Sequence, residues 1–290
     1  MNINGMLPDK TFKDKVILIT GGGTGLGKSI GEYILKLGGT IIISSRREEV
    51  IEEAANSLNA SYPNSVLGIA GDVRKIEDVE NVINKSIKKF GHVDMLINNA
   101  AGNFISPTER LSPNAFSTII DIVLKGTCNY TLTLGKIWIK DKQPGTILNI
   151  ATTYALTGSG YVVPSAAAKG GVLTFTKSIA AEWAKYKIRC NAVAPGPFPT
   201  EGAWSRLVPP GFSKFFDIKK RIPLKRVGEH QELANICAYL LSDYSAYITG
   251  EIITIDGGEW MYNAGQFSWL DKIPSAMWSI IEKTIRKKSK

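Results

Sequence analysis

The sequence is poor in the residues that staple small secreted folds or hold metals. Its three cysteines, Cys128, Cys190 and Cys237, lie far apart, are odd in number and form no Cys-x-x-Cys pair. That argues against a disulfide framework or a zinc ribbon and for a reducing compartment. The two histidines, His92 and His230, sit in surface-like contexts and receive no role, and no metal site is expected. No apolar run approaches the length of a membrane span, so stable membrane insertion is not expected. The first fifteen residues have no arginine and no apolar stretch and carry two aspartates, reading as neither a signal peptide nor a good transit peptide.

Long runs of one charge are also missing, although the formal balance is +9. Such an excess fits a nucleic-acid surface, an acidic membrane or a polyanionic small molecule. Much of it is local, in "IRKKSK", Ile285 to Lys290, while the remainder mixes both signs. A basic end of this kind is ordinarily a solvated tail, and no nucleic-acid partner is expected.

What is present is alternation. "VILIT", "TIIIS", "SVLGIAG", "MLINNA", "TILNIAT", "IRCNAVAP" and "EIITIDGG" are short β-branched runs separated by helix-length segments. Continuous apolar strands of that kind predict a parallel sheet covered on both faces. The expected fold is α/β: a single doubly wound, Rossmann-like domain with a parallel sheet of about seven strands, plus a C-terminal helical tail. Residues 1–258 are expected to form this domain. Residues 259–290 form the tail, whose Trp278, Ile281 and Ile285 share a helical spacing for packing on the domain or a neighbouring subunit. Gly102 to Pro113 and Pro195 to Pro223 follow predicted strands and are rich in Gly, Pro and aromatics, so they are candidate substrate loops.

After the first strand comes "GGGTGLGKSI", in which Gly21, Gly22, Gly23, Thr24, Gly25, Leu26 and Gly27 form the turn into a helix. Glycine lets the backbone turn tightly and approach a pyrophosphate resting on the helix N-terminus. The second strand ends in Ser45, Arg46 and Arg47 in place of the carboxylate that would hold the ribose 2′-hydroxyl of NAD. Guanidinium groups suit a 2′-phosphate, so NADPH is the expected cofactor. The alternative is that these arginines only dress the next helix beside Glu48 and Glu49. Asp72 and Val73 of "GDVRK" fall beside the expected adenine, and "NNAAG" ends the fourth strand.

"TGGGTGLG", "GDV", "NNAAG", Lys169 on its helix, "NAVAPGP" and "ITIDGG" together resemble a short-chain dehydrogenase/reductase over nearly the whole chain. That family uses a serine, a tyrosine, a lysine and an asparagine for proton chemistry. Here those positions hold Thr152, Ser165, Lys169 and Val123, so only the lysine survives. "AGNFISPTERLSPNAF", "TYALTGSGYVVPSAAAKGGV", "AAEWAKY" and "KRIPLKRVG" resemble the NADPH-dependent 2,4-dienoyl-CoA reductases, and the tail is similar to the mitochondrial type.

This second resemblance implies a catalytic set of Tyr154, Asn103, Lys169 and Ser165, in which Ser165 and Lys169, one helical turn apart, fall on one face and can hold the nicotinamide ribose. It places Asn99, Lys169, Pro195, Gly196, Pro197 and Phe198 with the cofactor. Arg46, Arg74, Phe104, Ser112 and Arg206 are placed at an acyl-CoA site. Arg46 has two claims on it, the cofactor phosphate and the CoA, and for Arg74 and Arg206 surface solvation is the rival reading. "EGAWSRLVPPGF", with Trp204, reads as a mobile cover. The resemblance also implies a homotetramer and a mitochondrial location, with cytosolic and peroxisomal settings as alternatives.

The displaced tyrosine makes chemical sense. A dienoyl thioester takes hydride at the far end of its conjugated system, and charge appears on the thioester oxygen several bonds away. Donors must aim there. A carbonyl reductase on another substrate is disfavoured by Ser165. A non-catalytic NADPH-binding protein would have no need of Asn103 and Tyr154 together.

Overall fold

The computed structural model describes residues 5–200 and 217–288. All seven expected strands form: β1 Val16–Thr20, β2 Thr40–Ser45, β3 Val66–Ala70, β4 Met95–Asn98, β5 Gly145–Ile150, β6 Ile188–Pro195 and β7 Ile252–Ile255. They make one sheet in the order β3-β2-β1-β4-β5-β6-β7, and every pairing is parallel. β1 and β4 are therefore the point where the winding reverses, and in such sheets ligands bind outside the strand carboxyl ends at that reversal.

The helices follow from apolar spacing and from their ends. α1 Gly25–Lys36, α2 Glu48–Ser61 and the helix His230–Leu241 cover one face, burying Ile30, Ile34, Ile51, Leu58, Leu233 and Cys237 against Ile17, Ile19, Ile41 and Ile43. α3 Ile76–Phe90, α5 Gly126–Lys140 and α7 Val163–Trp183 cover the other, where Val79, Leu134, Trp138 and Val172 meet Leu18, Ile42, Leu96 and Ile147. α3 shows how local signals agree. Glu77 and Asp78 lie in its first turn, Lys88 and Lys89 in its last, and Gly91 ends it at a φ of 85°. α4 Pro113–Ile120 runs into α5 through a π-helical turn, Asp121–Lys125, which buries Val123 completely.

Strand register brings the candidate residues to one edge. Thr20 sits opposite both Ser44 and Asn98, Asn98 opposite Asn149, and Ile150 opposite Val193. The glycine turn, the β2 end, Asn99, the Tyr154 segment and Pro195 all leave the sheet from that line. The three cysteines are free, and burial of Cys190 and Cys237 holds both thiols above their usual range.

Beyond Gly258 the chain continues as the helix Glu259–Ala264, a 3₁₀ turn at Ser268–Lys272 and the helix Ser275–Lys288. Phe267 is 71% exposed and Trp269 58%. Of the expected stripe, Trp278 is exposed and Ile281 half-buried, and Ile285 falls outside the residues whose side chains are described. No described helix is long and apolar enough to cross a membrane.

Candidate active site

The glycine turn is fixed from β4. Asn99 donates from its backbone N–H to Thr20 Oγ1 at 3.0 Å, and its Nδ2 donates to the carbonyls of Thr20 and Gly21, both at 3.0 Å. That amide fills the space a side chain would need. A Cβ on Gly27 would lie 2.5 Å from Asn99 Nδ2 and 2.6 Å from the Gly21 carbonyl, while Gly21 has a φ of 66°. Gly22 and Gly23 are buried under Ile43 and Ile51, Thr24 is exposed at the N-cap, and Leu26 is half-buried.

Thr24 makes no side-chain cap, and the first turn of α1 holds no acid. The helix N-terminus therefore keeps its amide donors and partial positive charge for an anion. A dinucleotide pyrophosphate fits this cradle. Asn99, expected beside the cofactor, acts on the turn itself, a contact that no local sequence signal carries.

At the β2 end, Ser45 is half-buried and its carbonyl accepts from Gly71 N–H at 2.9 Å. Arg46 and Arg47 are exposed, and no carboxylate among the described residues forms an ion pair with either. Arg46 is close enough to help hold the Asp72 carboxyl below the usual range, although Arg74 is the main cause. Arg74 grips Asp72 in a fork, Nε to both oxygens at 3.0 Å and Nη2 to Oδ2 at 2.5 Å. In this arrangement the Arg74 guanidinium is committed to Asp72. Val73 is buried against Gly126, and its carbonyl accepts from Asn129 Nδ2 at 2.9 Å.

The catalytic candidates converge. α6, Tyr154–Thr157, is a single short turn beyond β5, tied to β6 by Thr153 N–H donating to the Pro195 carbonyl at 3.3 Å. Asn103 Nδ2 donates to Tyr154 Oη at 3.1 Å, and its Oδ1 accepts from the Phe104 N–H at 2.9 Å, which fixes which end of the amide faces the phenol. Tyr154 Oη is 3.0 Å from Ser165 Oγ, which is 2% exposed. Burial raises the Tyr154 pKa above 10, opposed by hydrogen bonds to Ser165 and Thr152. The phenol therefore stays protonated at neutral pH.

Lys169, one turn beyond Ser165, is buried and donates from Nζ to the Ile150 carbonyl. Burial brings its pKa down to about 8. The family resemblance sets Ser165 beside the cofactor ribose. The structure places its hydroxyl directly on the phenol, a contact set by the crossing of α6 and α7 that no spacing in the sequence encodes.

The remaining assignments divide. Phe104 is half-buried and packs against the core cluster under α3, α5 and α7. Ser112 caps α4, its Oγ accepting from Ala115 N–H at 3.1 Å, and is exposed. Pro195 ends β6, Gly196 donates to the Ile255 carbonyl at 2.9 Å, Pro197 accepts from Gly228 N–H at 3.0 Å, and Phe198 is buried against Gly228. Arg206 and Trp204 lie outside the described residues. No group of three or more potential metal ligands occurs among the described residues.

A doubly wound sheet with a glycine turn at the winding reversal defines the dinucleotide-binding class of α/β proteins. Comparison with known proteins narrows the class. A family model described as enoyl-(acyl carrier protein) reductase matches residues 21–259. The chain belongs to the short-chain dehydrogenase/reductase family. It is 43% identical over 285 residues, 97% of this chain and 92% of the relative, to "Probable 2,4-dienoyl-CoA reductase 3 [(3E)-enoyl-CoA-producing]" of Caenorhabditis elegans. It is 41% identical over 258 residues, 86% of this chain and 98% of the relative, to "Probable 2,4-dienoyl-CoA reductase [(2E)-enoyl-CoA-producing]" of Bacillus subtilis. A solved short-chain dehydrogenase from Bacillus anthracis matches with a TM-score of 0.77 at 40% identity, over 87% of this chain and 98% of that one.

Proposed function

We propose that this protein reduces a 2,4-dienoyl-CoA with NADPH to a 3-enoyl-CoA. The observation that carries the reading is the chain Asn103–Tyr154–Ser165, which supplies a protonated phenol from the strand end while the family's usual tyrosine position on α7 is held by Ser165. When bound, the cofactor supplies the hydride, which enters the δ-carbon of the dienoyl group and drives negative charge onto the thioester oxygen. Every other step falls to side chains. Tyr154 accepts from Asn103 and, with the Ser165 hydroxyl turned to donate, directs its own proton at that oxygen. The second N–H of the Asn103 amide is the companion donor. Preorganised donors at the site of developing charge are the largest single source of rate in such reactions. Lys169, held by Ile150, presents its ammonium to the ribose.

The C. elegans and B. subtilis relatives carry names with different product double bonds. The difference is where the dienolate takes its proton: at the α-carbon it gives the 3-enoyl product, at the γ-carbon the 2-enoyl product. A donor at the thioester oxygen stands next to the α-carbon, which favours the 3-enoyl outcome. Arg46 and Arg47, which form no ion pair with a carboxylate among the described residues, support NADPH over NADH. A homotetramer, a mitochondrial setting and a place in the oxidation of unsaturated acyl chains belong to the same proposal. They rest on the resemblance and, for assembly, on the exposed aromatic side chains of the tail.

The test compares NADPH oxidation with a dienoyl-CoA, the matching 2-enoyl-CoA and a simple ketone, with the product followed by NMR in D₂O. The proposal expects turnover on the dienoyl-CoA alone and one deuterium on the α-carbon. Faster turnover of the ketone overturns the activity, and deuterium on the γ-carbon overturns the product.

A further inference from the structure

His230 opens the helix His230–Leu241, and nothing in the sequence assigns it a role. We propose that it is a positioning residue for the nicotinamide cofactor, fastening the loop after β6 to the helix that receives the pyrophosphate. The inference rests on the cofactor reading of the glycine turn.

His230 Nε2 lies 2.8 Å from the Pro199 carbonyl, and Nδ1 lies 2.8 Å from Ser29 Oγ. A carbonyl only accepts, so Nε2 carries the proton, and in the neutral ring Nδ1 accepts from the Ser29 hydroxyl. Both ring nitrogens are thus committed, one to the loop and one to α1. Ser29 is one turn inside α1, and its Oγ also lies within donating distance, 3.1 Å, of the carbonyl of Gly25, the turn glycine with a φ of 54°, so its one proton is shared between that carbonyl and Nδ1. Across the same gap, a Cβ on Gly25 would stand 3.3 Å from Thr200 Cγ2. The imidazole therefore bridges α1 and the loop beside the place where Thr200 packs against Gly25.

Residues 196–198 are moored elsewhere. Gly196 is bonded to Ile255, Pro197 to Gly228, and Phe198 is seated on Gly228. Unlike these three, Pro199 is tied through His230 to α1. The ring can act as a strut because its base is rigid. Glu229 and Glu232 form a reciprocal capping box, and Arg226 holds Glu232 with two bonds of 2.7 Å. A strut here sets the width of the cleft between the loop and the turn. Removing it costs cofactor affinity before it costs chemistry, because the phenol, Asn103 and Lys169 hang from other elements.

The experiment measures NADPH affinity by fluorescence titration, apo melting temperature, and the NADPH KM and kcat for His230→Ala, His230→Gln and Ser29→Ala. Loss of the two bonds should weaken NADPH binding about tenfold in His230→Ala and raise its KM to match, with kcat at saturation falling far less. His230→Gln, whose amide both donates and accepts, should recover much of the affinity, and Ser29→Ala should show a smaller loss in the same direction. Unchanged NADPH affinity in His230→Ala and Ser29→Ala, even with a lower apo melting temperature, makes the bridge merely structural and overturns the proposal. If the unaltered protein binds neither NADPH nor NADH, it is the cofactor reading that has failed, and this inference with it.

Discussion

Replacing Tyr154 with phenylalanine separates the proposed chemistry from its rivals. The ring keeps its packing and only the hydroxyl is lost. That hydroxyl accepts from Asn103 at 3.1 Å and lies 3.0 Å from Ser165, and in the proposed reaction it is the donor to the thioester oxygen. Losing one donor of this kind costs on the order of 3 kcal/mol of barrier. At about 1.36 kcal/mol per tenfold, turnover should fall about a hundredfold or more. Stability should fall by only about 1–2 kcal/mol, since two polar groups lose a partner but gain no cavity.

Asn103→Ala should resemble this change, because Asn103 both donates and aims the phenol. The double variant should lose less than the product of the two, as both act on one oxyanion. Ser165→Ala should cost less than either, because the Asn103 bond still orients Oη. The assay is steady-state turnover on a dienoyl-CoA, with NADPH affinity and melting temperature measured separately. Near-normal turnover in Tyr154→Phe refutes the reasoning and returns the proton to Ser165 or to water.

Arg46→Ala should weaken NADPH more than NADH in parallel titrations, and equal losses for both cofactors remove the 2′-phosphate assignment. Lys169 titrates at about 8 in the folded protein against an ordinary lysine value of 10.5, so between those limits the unfolded chain binds the extra proton and stability rises with pH across them. The melting temperature of the unaltered protein minus that of Lys169→Met should therefore grow from pH 7 to pH 10, by the equivalent of about 3 kcal/mol, and a flat difference refutes the burial argument. Light scattering at micromolar concentration should give a homo-oligomer, with a tetramer expected. A chain shortened after residue 265, which removes Phe267, Trp269, Met277 and Trp278, should shift toward smaller species, and a monomeric mass for the full chain ends the assembly proposal.

The sequence by itself determined the sheet. Seven apolar runs became seven parallel strands, because a strand buried on both faces must be written as a continuous apolar run, and that pattern is local. The glycine turn and its helix were equally legible, since left-handed backbone and close approach both demand glycine. The resemblance named Asn103 and Tyr154 as working together, but their meeting across 51 residues of chain is a tertiary fact. So is the contact of Ser165 with the phenol, where the resemblance pointed to the ribose.

Other residues were readable by type but not by partner. Arg74 looked like a phosphate ligand and is found gripping Asp72, two positions away. Ser112 looked like a substrate contact and caps α4, a role its place before Pro113 could have signalled. His230 carried no signal at all, because a bridge between α1 and the loop after β6 exists only once the sheet has brought Ser29 and Pro199 to either side of it. Periodicity and turn chemistry act over a few residues and survive in the sequence. Hydrogen bonds between distant side chains depend on register and helix crossing, and only the folded chain decides them.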